Sequence, residues 1–174
     1  MGVVQTYPAR AVVDLDAIAA NVRTLDAGTS AETMAVVKAD GYGHGLVPVA
    51  RAARRGGATW LGTAQVSEAL ELRAAGDSGR VLSWLYAPGA PLREAVEADV
   101  DLAVAAPWAV DALAGAAREA GRTARVHLKV DTGLGRNGVT PAQLPEVLDA
   151  LMRAQAEGSL AVVGIFSHFA FADA

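Results

Sequence analysis

No cysteine occurs among the 174 residues of this chain. That one absence excludes disulfide bridges, thiolate metal sites and cysteine nucleophiles together, and it is consistent with residence in the cytoplasm. A basic footprint is missing too. The formal net charge is -4, and the arginines and lysines are scattered rather than clustered, which argues against nucleic acid as a partner. No stretch reaches the roughly 18 apolar residues of a membrane span, so no membrane partner is expected. The opening "MGVVQTYPAR" lacks the charged flank and long apolar run of a secretory signal. A soluble, unexported protein is therefore expected. His44, His127 and His168 are far apart, with no H-x-x-x-H or H-x-x-E-H pair, so no metal site is expected. The chain also lacks internal repeats, low-complexity tracts and any linker long enough to divide it.

What remains is a globular composition, 52% hydrophobic and 20% charged, rich in alanine, glycine and arginine. Short β-rich runs alternate with longer helical ones. The runs predict strands over 34–37, 59–63, 81–85, 101–105, 124–131 and 162–167. Helices are predicted over 46–55, 67–75, 92–97, 108–120 and 141–156 from apolar residues at helical spacing. Gly56, Gly76 and Gly121 fall just past helix ends, and Pro107 and Pro141 at or before starts. An earlier helix begins after Asp14 as N-cap, with Ile18, Val22 and Leu25 on one face. Repeated strand-helix units predict a parallel sheet, either an open doubly wound sheet or an incomplete (β/α)8 barrel. A dinucleotide-binding sheet should carry G-x-G-x-x-G after its first strand, and the "GYGHG" found there has the wrong spacing. In both architectures ligands are bound at the carboxyl ends of the strands.

Lys38 stands at such an end, in "MAVVKADGYGHG". It is either a lysine leaving the core for water or a Schiff-base lysine. An amine that condenses with an aldehyde cofactor must be held at the mouth of a pocket. The glycines after it would let backbone N–H groups approach a phosphate, and Tyr42 could add a hydroxyl. The residues alone leave both readings open. Further on, period-2 alternation puts Val126, Leu128 and Val130 on one face of a strand and Arg125, His127, Lys129 and Asp131 on the other. If the apolar set packs on helices, the polar set points into the barrel. The three tryptophans, Trp60, Trp84 and Trp108, sit in or beside apolar runs and read as packing residues.

Three motifs in register then carry a resemblance. "AVVKADGYGHG" resembles the pyridoxal-phosphate attachment motif of the alanine racemase family, and "VHLKVDTGLGRNG" and "GIFSHFAFAD" resemble its second and third signatures. The likeness runs from Arg10 to the end of the chain. It implies a PLP-binding (β/α)8 barrel of the third PLP fold type, represented by about six of its eight strand-helix units. Residues 1–174 would then be the N-terminal part of the barrel domain, with two further units and a C-terminal β-domain absent. Such a chain is expected to be inactive alone.

The resemblance also assigns roles. Lys38 matches the lysine that holds pyridoxal 5′-phosphate and serves as one of two acid/base groups. Tyr42 matches a phosphate contact, Arg136 the arginine near the cofactor's phenolic oxygen and the substrate carboxylate, and His168 the histidine against the pyridine ring. Lys129 matches a lysine that several members carbamylate. A buried lysine beside Arg136 would be two cations in low dielectric unless one were neutralised; pairing of Lys129 with Asp131 or another acid is the plainer alternative. The implied activity is interconversion of L- and D-alanine, supplying D-alanine for peptidoglycan, in the cytoplasm and in a homodimer whose partner subunit contributes a second base, a tyrosine. No tyrosine here matches that base. The alternatives are a non-catalytic PLP-binding homeostasis barrel, which needs the lysine and phosphate loop but no second base, and a barrel-type amino acid decarboxylase.

Overall fold

The computed structural model describes residues 9–172. Residues 1–8 of the stretch read above for a leader, Tyr7 among them, lie outside the described residues. Six strands form one sheet: β1 (Met34–Val36), β2 (Trp60–Gln65), β3 (Arg80–Leu85), β4 (Asp101–Val104), β5 (Ala124–Lys129) and β6 (Leu160–Phe166). All neighbours pair in parallel, in the order β1-β2-β3-β4-β5-β6. A doubly wound sheet reverses its strand order at a switch point. Strictly sequential order without a reversal is that of a barrel wall. The sheet is six strands of a (β/α)8 barrel, and this decides between the two architectures left open by the alternation of elements.

Helix α1 (Leu15–Ala27) precedes β1, and its N-cap is Asp14, whose side chain accepts hydrogen bonds from the amides of Asp16 and Ala17. A one-turn element, α2 (Lys38–Gly43), follows β1 and leads into α3 (Leu46–Arg55); α4 (Val66–Ala74), α5 (Leu92–Glu97), α6 (Pro107–Ala120) and α7 (Leu144–Ala156) follow the next four strands. The last begins three residues later than Pro141 suggested. Thr140 and Gln143 close a turn there, with the Gln143 side chain accepting from the Thr140 amide and hydroxyl. Pro145 then occupies the first helical turn, where its missing N–H costs nothing. Strand β6 starts at Leu160, two residues earlier than its β-branched run. No helix among the described residues is long and apolar enough to cross a membrane.

Alternation sorts the strand side chains into two layers, as expected for β5. Leu61, Val81, Leu102, Val104, Val126, Leu128 and Leu160 are buried on the outer face, in one cluster with Leu72, Val96, Leu113, Val147 and Leu151 of the helices. Each such side chain contributes about 1.5–3 kcal/mol on burial. The inner face is polar near the amino ends of the strands. Asp101, fully buried, accepts from Arg80 (2.6 Å), Arg125 (2.7 Å) and His127 (2.9 Å). Trp60 packs edge-on against His127, with the Arg80 guanidinium 4.3 Å from its ring centre. This charged layer is the floor beneath the strand ends.

A β-bulge sets the position of His127. The β5–β6 register pairs Val126 with Val162 but His127 with Gly164, leaving Val163 as the extra residue. A Cβ on Gly164 would lie 2.4 Å from the imidazole Nδ1. Only glycine lets that ring lie against β6.

Candidate active site

One cavity of about 700 Å³ opens at the carboxyl ends of the strands. It gathers all five residues assigned by the resemblance: Lys38 and Tyr42 after β1, Lys129 at the end of β5, Arg136 in the following loop and His168 after β6. His127, Asn137, Phe166, Ser167, Trp84 and Leu82 complete its polar and apolar walls. These were not singled out as site residues from sequence. Ser167 stands immediately before His168, and Asn137 immediately after Arg136, so adjacency was the only signal for either. Trp84, whose apolar neighbours suggest a packing residue, reaches the cavity, whereas Trp108 packs edge-on against Tyr86.

The chain contains only two lysines, Lys38 and Lys129, and both line this cavity. With Arg136 they make three cations, joined by the imidazoles of His127 and His168, and no aspartate or glutamate is among the lining residues. In a chain of net charge -4 this is a local inversion of sign, the condition that concentrates an anionic ligand. A second cavity, about 520 Å³ between α3 and α4, also carries three cations, Arg51, Arg54 and Arg55, but it includes the carboxylate of Asp77 and neither lysine nor imidazole. Its Arg54 is held by Asp77 at 2.9 Å and by the carbonyls of Ala58, Thr59 and Arg80.

The segment carrying Lys38 departs from the open glycine loop expected of "GYGHG". Ala39, Asp40, Gly41 and Tyr42 all have φ between 53° and 61° and ψ between 38° and 53°, a left-handed helical turn. Gly41 suits this φ, and a Cβ there would also press on Val49 at 3.0 Å. The other three carry side chains, so at about 1–2 kcal/mol per residue the turn stores about 3–6 kcal/mol. Local hydrogen bonds offset part of that. The Gly41 amide donates to the Val37 carbonyl (2.9 Å), the Gly45 amide to the Asp40 carbonyl (2.8 Å) and the Leu46 amide to the Asp40 carboxylate (2.7 Å). His44 sits 3.0 Å from the Gly41 carbonyl through Nδ1, a loop role. The Lys38 amine lies 5.9 Å from the centre of the Tyr42 ring, so amine and phenol come from the same turn.

Lys129 is 6% exposed and donates to the Asn137 carbonyl. Its alternative partner is engaged elsewhere: an Asp131 oxygen accepts from the amides of Gly133 (3.0 Å) and Gly135 (3.1 Å). Burial, and then the like charge of Arg136, lower the Lys129 ammonium below its ordinary range, with Asp131 acting weakly in the opposite sense. On the floor, burial pushes the Asp101 carboxyl up, but the hydrogen bonds from His127, Arg80 and Arg125 outweigh it and hold the group low. His127 thus belongs to both layers, bonded to Asp101 below and lining the cavity above.

The sequence model of the family described as "Alanine racemase, N-terminal domain" matches residues 13–174. An alanine racemase of Beutenbergia cavernae is 66% identical over 169 residues, covering 97% of this chain and 45% of that protein. One of Frankia casuarinae is 61% identical over 165 residues, covering 94% and 43%. Among solved structures, the alanine racemase of a D-cycloserine-producing Streptomyces lavendulae superposes with a TM-score of 0.90 at 58% identity, covering 92% of this chain and 42% of that one. The alanine racemase of Bacillus anthracis with bound L-Ala-P gives 0.78 at 36% identity, covering 92% and 42%. The chain therefore spans less than half the length of the relatives it matches.

Proposed function

Because the chain belongs to the alanine racemase family, whose N-terminal domain its residues 13–174 match, we propose that the protein carrying it is a PLP-dependent isomerase that interconverts L- and D-alanine. The observation that carries this reading is the cavity itself: both lysines of the chain converge with Arg136 and two imidazoles at the strand ends, with no carboxylate among them. That donor set fits an anionic cofactor and an amino acid carboxylate together. Pyridoxal 5′-phosphate, when bound, supplies an aldehyde that condenses with an amine with loss of water, and a conjugated ring that accepts the electrons left when Cα loses a proton.

Lys38 would hold the cofactor and, once freed by the substrate amine, hold or deliver the proton at Cα. Tyr42 would donate its hydroxyl to the phosphate, and His168 would lie against the ring. Arg136 would fix the substrate carboxylate by charge-assisted hydrogen bonds. Carbamylation of Lys129 would replace a cation beside Arg136 with an anion and turn the repulsion between the two side chains into attraction.

Inversion at Cα needs acid/base groups on both faces. Tyr42 shares the turn of Lys38, and the Tyr86 hydroxyl is spent on the Ala103 carbonyl at 2.6 Å. In this reading the second base, a tyrosine, comes from a partner subunit of a homodimer, and these residues are the N-terminal part of a longer barrel domain followed by a β-domain. The product would serve peptidoglycan synthesis in the cytoplasm. The test is exchange in deuterated water by the full natural chain with PLP and L-alanine. D-alanine carrying deuterium at Cα is expected, and its loss in Lys38→Ala. Cofactor bound with no exchange would favour the homeostasis barrel instead.

A further inference from the structure

Glu68 joins two strand-to-helix connections with one carboxylate. It is the third residue of α4, and its Oε2 accepts from the amides of Ala64 (3.0 Å) and Gln65 (2.9 Å), where β2 passes into the helix. This is the reach-back half of a capping box. Capping needs no more than that oxygen. The other, Oε1, leaves the helix and accepts from the amide of Ala39 at 2.6 Å, 29 residues away in sequence.

Ala39 follows Lys38 and is the first residue of the left-handed turn, at φ 53°. The far end of the turn is anchored from within and from α3, through Gly41, Gly45 and Leu46. Its near end, next to the amine, is anchored across the sheet by Glu68. A strained conformation persists only where its surroundings over-determine it, and at the first residue of the turn the side chain that reaches in from another element is Glu68. We propose that Glu68 is a positioning residue for Lys38: its carboxylate fixes the first peptide of the turn and so the direction in which the amine enters the cavity. This rests on the reading of Lys38 as the cofactor-bearing amine.

The test compares Glu68→Gln with the full natural chain, in two measurements. One is amide exchange at Ala39 by NMR without cofactor. The other is the rate at which PLP becomes covalently attached to Lys38, trapped by borohydride. Glutamine retains one acceptor oxygen and cannot serve both loops. Ala39 exchange should quicken, and capture at Lys38 should slow, each by about tenfold, the scale of one charge-assisted hydrogen bond. Leu72→Val loosens α4 from its buried side without touching either Glu68 oxygen, and it should leave both readouts at the wild-type level. Should Glu68→Gln fail to fold, Glu68→Asp, shorter by one methylene, is read the same way. Wild-type capture in the Glu68 variant, or equal slowing in Leu72→Val, overturns the proposal and reduces Glu68 to a helix cap. Failure of the wild-type chain to take PLP on Lys38, with Ala39 exchange still responding to Glu68, instead overturns the cofactor assignment on which it rests.

Discussion

Replacing Asp101 with asparagine should destabilise the protein more than any surface change, because three donors converge on its carboxylate. Arg80 reaches it at 2.6 Å, Arg125 at 2.7 Å and His127 at 2.9 Å, and the side chain has no exposed surface. Asparagine keeps one acceptor oxygen and turns an N–H₂ group toward guanidinium, so Arg80 loses its counter-charge and Arg125 keeps only that of Asp99, at 2.6 Å. Removing one partner of a fully buried pair costs about 3–5 kcal/mol. The Arg80 and Arg125 side chains are 43% and 27% exposed, so water recovers part of that, leaving about 2–4 kcal/mol. With a urea slope of about 2 kcal/mol/M, the unfolding midpoint should fall by about 1–2 M. A double-mutant cycle with Arg80→Met should show coupling of about 1 kcal/mol or more. A midpoint within about 0.3 M of wild type, or additive effects, would refute the view that the floor of the barrel is held by this carboxylate.

Gly164→Ala places a methyl 2.4 Å from the His127 ring; overpacking and the strained His127–Asp101 bond should together cost about 2–4 kcal/mol, read by urea unfolding, and a neutral result would contradict the bulged register. Acid stability follows Asp99 and Asp101, both held below their ordinary value of 3.8, the first by its hydrogen bond from Arg125 and the second by its three donors against burial. A depressed carboxyl stabilises fully above the unfolded value and loses that contribution as pH falls through the folded one, so stability should drop below about pH 4, less steeply in Asp101→Asn. Lys129 gives a slope of the same sign at high pH for a different reason, since burial and Arg136 disfavour its charged form. Its lowered ammonium means that the unfolded chain binds more protons between the folded value and 10.5, so stability should rise with pH across that window in bicarbonate-free buffer. Lys129→Met should flatten the rise, and bicarbonate should abolish it if the amine is carbamylated.

The layout of elements was legible because it depends on local pattern. Helices α3 and α5 begin and end where their apolar spacing placed them, and the β5 face carrying His127 and Lys129 was correctly separated from that carrying Val126 and Leu128. The grouping of Lys38, Tyr42, Lys129, Arg136 and His168 around one cavity was legible from the resemblance rather than from periodicity. What escaped was set by partners distant in the chain. Nothing near Ala39 announces a left-handed turn through three non-glycine residues, because the carboxylate bonded to its amide lies 29 positions away. Asp101 sits in an apolar run, and its donors are 21, 24 and 26 positions distant. The β6 bulge depends on the His127 ring rather than on the sequence around Gly164. In each case tertiary contact overrides a local propensity that gives no sign of it.

The most direct test of the central claim is borohydride reduction of the full natural chain with PLP, followed by peptide mapping. Within residues 1–174 only Lys38 and Lys129 carry a side-chain amine, and both face the same cavity, so the outcome discriminates sharply within this part of the chain. Labelling confined to the peptide containing Lys38, and lost in Lys38→Arg, is the result the account predicts. Labelling at Lys129, or only at sites outside the cavity, would contradict it.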